Sequence, residues 1–202
     1  DPLYPISRRS NIRIIEVDAA RPVDGALPGI AVQPGSKVEG LNSQPWLASN
    51  NMGRMADVMA ADLVRLAPKA KPAIEANLAT LKQRLLKLSA DSEARLAATD
   101  NLSVMSLSDH LGYLIGGLNL ESVGLDARPD AEWTPEALKV LEATLKDNDV
   151  AVVLHHRQPS EAVKAVIADA GSRLEVLSVD AAEPVAELEG NVDRVIKGLS
   201  GV

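Results

Sequence analysis

All three histidines of this chain sit beside a run that reads as a β-strand. His110 lies in SDHLGY at 108–113, just after the apolar run 102–107, and His155 and His156 close the run 150–155. A further carboxylate, Asp180, follows the run 174–179, and Asp109 adjoins His110. Imidazole plus carboxylate is the donor set that zinc, manganese or iron takes. Ser108 and Ser178 stand at the same strand ends. Each residue also has a plain structural use. His110 suits a helix cap, Asp109 the N-cap of a helix over 110–118, and Asp180 a strand stop. Side chains alternate along a strand, so at most one of His155 and His156 faces a given site. The co-location, not any single residue, carries the signal.

Such residues converge only if the strands are parallel neighbours. Runs rich in Val, Ile and Leu at 102–107, 121–125, 150–155 and 174–179 alternate with amphipathic stretches, which predicts a parallel sheet covered on both faces. Ligands of such sheets bind beyond the carboxyl ends of the strands. Thr134-Pro135 and Ser160 start two of the intervening helices, Gly171 ends the second, and a last helix covers about 192–199. Upstream, Met55, Val58, Met59, Leu63 and Leu66 fall at helical spacing over 52–66, with Asn50 or Asn51 as cap. A second helix begins near Pro72 and repeats Ile74, Leu78, Leu81, Leu85 and Leu88. Its length of some 25 residues, roughly 38 Å, suits a spine. Residues 1–51 are rich in Pro and Gly and hold one strand candidate, 11–17. The expected division is therefore a strand-plus-loop segment over 1–51, a helical segment over 52–99 and an α/β unit over 100–202.

Composition narrows the chemistry. Cysteine is absent, which removes disulfides, thiolate nucleophiles and Cys-ligated metal sites. The net charge of −7 argues against nucleic-acid binding. Phe is absent, so the core is aliphatic. No apolar run approaches the ~20 residues of a membrane span. No signal peptide opens the chain, and Asp1-Pro2 reads as a mature or trimmed start. No phosphate loop, dinucleotide fingerprint, serine elbow or HExxH motif is present. A hydrolase built from Ser108, His110 and Asp180 stays open, although the glycine elbow that usually presents such a serine is missing.

Three ordered stretches resemble the periplasmic metal-binding receptors of zinc- and manganese-type ABC importers. NSQPWLASNN at 42–51, with the helix after it, is similar to that family's NPHxWLDP segment. SLSDHLGY at 106–113 and LNLESVG at 118–124 are similar to its TFHDAFGY and GLEVVG, and AEWTPEAL at 131–138 to its AEPSPxxL. The resemblance implies a two-lobe solute-binding α/β fold with a spine helix, an incomplete N-terminal lobe and a four-stranded parallel sheet in the C-terminal lobe. It implies a non-enzymatic, monomeric receptor outside the cytoplasmic membrane, delivering zinc or manganese to an ABC permease. Two liganding histidines of the family are replaced here, by Gln44 and Ser108, while Asp109 and the Gly112-Tyr113 frame remain. Two outcomes stay open. A metal site is rebuilt from His110, His155 and Asp180, or the cleft takes a metal chelate or organic solute against Gln44, Ser108 and Asn42. A receptor-like interaction module without metal is the third alternative.

Overall fold

A computed structural model describes residues 44–201. The strand expected over 11–17, the loop after it and Asn42 lie outside the described residues. The four apolar runs each form a strand: β1 Ser103–Ser106, β2 Glu121–Leu125, β3 Val152–His155 and β4 Arg173–Val176. All pairings are parallel, in the order β2-β1-β3-β4. Alternation along the strands feeds two cores. Val104, Val152 and Leu154 join one apolar cluster, while Met105 and Val153 join another.

Among the described residues six α-helices accompany the sheet: α1 Ser49–Leu66, α2 Lys71–Leu96, α3 Gly112–Gly117, α4 Pro135–Asp147, α5 Glu161–Asp169 and α6 Pro184–Ser200. The first core takes Met52 of α1, Leu85 and Leu96 of α2, Leu114 and Ile115 of α3, and Leu188, Val192, Val195, Ile196 and Leu199 of α6. The second takes Leu141 and Leu145 of α4 with Val163 and Ile167 of α5. Helices thus cover both faces, as continuous apolar strands require.

Local signals explain most boundaries. Thr134 Oγ1 accepts the Ala137 N–H at 3.2 Å, and Ser160 Oγ the Val163 N–H at 3.4 Å, capping α4 and α5. Gly171 takes φ of 81° just past α5, where a side chain would be strained. The 26 residues of α2 make a rod of roughly 39 Å. Arg84 pairs with Glu189 and Arg95 with Asp193, both on α6, which ties that rod to the sheet layer.

Three expected boundaries are corrected. Helix α1 starts at Ser49 with no side-chain cap, because Asn50 turns its Oδ1 onto the Asn51 N–H instead. Asp109 caps no helix, since α3 begins only at Gly112. Helix α6 runs a further two turns toward its N-terminus than the expected 192–199, and β4 is correspondingly short.

The topology fixes where a ligand can enter. From β1 the chain moves outward to β2, then crosses back to β3 and continues outward to β4. The direction reverses between β1 and β3, so their carboxyl ends flank the crevice where open α/β sheets bind ligands. Those ends carry Ser108–His110 and His155–His156.

Candidate functional site

The exit of β1 is folded into a tight turn by Ser106. Its Oγ donates to the Ser108 carbonyl at 2.7 Å and accepts the Ser108 N–H at 3.2 Å. This turn buries Ser108, 2 % exposed, with its hydroxyl toward β3. Ser108 Oγ accepts the His110 N–H at 3.2 Å and lies 2.7 Å from His156 Nδ1. The His110 and His156 rings meet edge to face with centroids 4.5 Å apart. His110 Nε2 is 3.4 Å from Asp109 Oδ1, while its Nδ1 is buried with no hydrogen-bond partner. An unpaired buried nitrogen costs about 1–3 kcal/mol.

His155, expected to complete the site, packs edge to face on the His156 ring, centroids 5.0 Å apart, but turns its Nδ1 to the backbone. It is the last paired residue of β3, opposite Val176, and only 3 % exposed. Its Nδ1 accepts the His156 N–H at 2.9 Å and the Arg157 N–H at 3.4 Å. Burial, with smaller contributions from His156 and Arg157, pushes its pKa down to about 3. The ring is therefore a neutral bracket for the strand's exit. His156, one residue beyond the strand, is the imidazole that swings to Ser108 and His110.

Burial also lowers the His156 pKa, helped by His110 and Arg157 and opposed by Asp109 and Asp180. A neutral imidazole keeps a lone pair for a cation. The hydrogen bond between Ser108 Oγ and Nδ1 fixes the orientation of the ring and leaves Nε2 as its other nitrogen. The Asp180 carboxylate is exposed on the β4–α6 loop, within electrostatic reach of His156. Asp180 and the buried Gln44 both line a groove of about 850 Å³ between α1, α2 and that loop. The groove is otherwise largely apolar and includes neither imidazole. Among the described residues, no three His, Asp or Glu side chains are gathered closely enough to enclose a metal ion as they stand.

The expected Ser108–His110–Asp180 hydrolytic arrangement is not formed. The backbone N–H of His110, not its ring, bonds Ser108, and the hydroxyl is buried. Two residues escaped the sequence reading altogether. Glu187 and Asn191 of α6 are buried and hold the loop that carries Asp180. The signal was present in the α6 pattern, where both fall on the side of Leu188, Val192 and Val195 that faces the core.

Parallel strands, helices on both faces and a polar crevice at the switch point define an open α/β protein. The profile described as zinc-uptake complex component A, periplasmic, matches residues 7–194, and the chain belongs to that family. Solved structures agree on the fold. A mutant of FpvC from Pseudomonas aeruginosa is 24 % identical with a TM-score of 0.73, over 92 % of this chain and 71 % of that one. A mutant of the laminin-binding adhesin Lmb from Streptococcus agalactiae gives 20 % and 0.73, over 98 % and 75 %. A ZnuA deletion mutant with zinc bound gives 20 % and 0.71, over 98 % and 74 %. FpvC has also been solved with Ni2+ and with Mn2+. No curated protein matches the sequence significantly. The family is the solute-binding component of ABC importers, periplasmic or extracellular, and its members are binding proteins.

Proposed function

We propose that this chain captures a transition-metal ion of the zinc or manganese type, bare or as a chelate, and hands it to an ABC permease. His110 and His156 supply the nitrogen donors, and Asp109 and Asp180 supply the negative charge. Ser108 orients His156, and Gln44 offers hydrogen bonds at the groove's edge. Water, a chelator or a shift of the Asp180 loop completes the coordination. The carrying observation is the orphaned Nδ1 of His110 packed against the His156 ring. A cation is a partner that two adjoining imidazoles could share. The zinc, nickel and manganese complexes of the similar structures support this cargo class. The buried Ser108 hydroxyl favours binding over hydrolysis.

Elemental analysis of the purified chain, followed by calorimetric titration of the stripped protein with zinc and with manganese, tests this. Binding of either metal that weakens at least tenfold in His110→Ala is expected. A chain that takes up neither metal, free or chelated, would falsify the proposal.

A further inference from the structure

Beyond β4 the chain passes through residues 177–183 before α6 begins at Pro184. Two side chains of α6, one helical turn apart, reach back over this loop. Asn191, 2 % exposed, donates from Nδ2 to the Ser178 carbonyl at 2.6 Å and accepts the Ser178 N–H on Oδ1 at 3.0 Å. It thereby pairs both backbone groups of Ser178, as an adjacent strand would. Glu187, 6 % exposed, accepts on Oε1 from the Ser178 hydroxyl at 2.6 Å and from the Ala181 N–H at 2.8 Å. Its Oε2 receives the Trp46 indole N–H at 3.4 Å. Between the two anchored residues, Ser178 and Ala181, lie only Val179 and Asp180.

A carboxyl group is an expensive choice for a core-facing helix position, tolerable only when its oxygens are bonded. Here every bond it makes goes to the Asp180 loop or to the turn that follows Gln44. We infer that Glu187 and Asn191 are positioning residues that hold the loop carrying Asp180 at the carboxyl edge of the sheet, and that Trp46 couples this hold to the segment carrying Gln44. The inference rests on the metal-capture reading above. Its gain is preorganisation: the loop need not be ordered when cargo arrives.

Zinc titration of the full chain in a double-mutant cycle tests it. Asp180→Asn is expected to weaken binding about tenfold, and Glu187→Ala about fivefold or more. The double variant should be no weaker than Asp180→Asn, because the two act as one unit. Glu187→Gln keeps an acceptor for Ser178 and Ala181 and should stay within about threefold of the parent. Exchange of the Ala181 amide should quicken in Glu187→Ala and not in Glu187→Gln. Should Glu187→Ala fail to fold, Ser178→Ala removes one of its bonds and is expected to lose about threefold, again non-additively with Asp180→Asn. Additive losses, or full affinity in Glu187→Ala, would overturn the positioning role while leaving metal capture intact. A parent chain that binds no metal would overturn both.

Discussion

Two polar clusters sit at the carboxyl edge of one sheet, and they are finished differently. Beyond β2, Asp126 grips Arg128 through Nε at 2.8 Å and Nη2 at 2.6 Å, and the guanidinium lies 4.7 Å over the Trp133 ring. Both side chains are nearly sealed from solvent, 6 % and 11 % exposed, and each charge meets its opposite. Beyond β1 and β3, Ser108 is buried but His110 and His156 are only partly so, and one ring nitrogen of His110 ends with nothing. The first cluster is complete without a ligand and serves the fold. The second is incomplete and sits at the topological switch point, which is why the proposed cargo site is placed there.

Breaking the completed cluster should show the largest effect, and on stability alone. Asp126→Ala removes the carboxylate that grips the largely buried Arg128 and is expected to cost about 3 kcal/mol in denaturant unfolding. Zinc affinity of the protein that remains folded should not change. If affinity falls in step, the two clusters are not separable.

Next comes a pH effect from His155. Its folded pKa of about 3 lies below the ordinary histidine value of 6.5. Between those limits the unfolded chain binds a proton that the folded chain refuses, so stability rises with pH there and is lost on acidification. The slope from this ring is about 1.4 kcal/mol per pH unit. His155→Gln in the metal-free protein should flatten the stability–pH curve between pH 6.5 and about 3 by that amount, and an unchanged curve would deny the buried neutral ring.

Smaller effects sharpen the contrast. His110→Leu deletes the orphaned nitrogen and should leave the metal-free protein unchanged or stabilised by up to about 1 kcal/mol, while abolishing tight metal binding. Marked destabilisation would mean that His110 is structural after all. Smallest of all is Arg157→Ala, which removes the exposed pair with Asp130 at 3.2 Å and should shift unfolding by less than about 1 kcal/mol.

The sheet was legible because its strands are bare apolar runs ended by polar residues, and Thr134-Pro135 and Ser160 are local caps that need no tertiary information. The Ser108, Asp109 and His110 turn was legible by the same token as the exit of β1. The choice between His155 and His156 was not. Alternation says that two neighbours face opposite ways, but it does not say where the strand stops. Pairing with Val176 holds His155 in the sheet, and the chain is released one residue later. Glu187 was hidden for a different reason: its value lies in the Ser178 hydroxyl and the Ala181 and Trp46 N–H groups, which only tertiary structure brings to it. Asn50 misled as a cap because local side-chain bonding competes with helix initiation, and Asp109 because the helix after it starts only at Gly112.

The central claim is that adjacent histidines have opposite duties, one built into the strand and one aimed at cargo. Zinc titration of His155→Gln and His156→Gln at pH 7.5, side by side, tests it most directly. We predict at least a tenfold loss of affinity in His156→Gln and less than a threefold change in His155→Gln. The reverse order, or equal losses in both, would contradict the assignment.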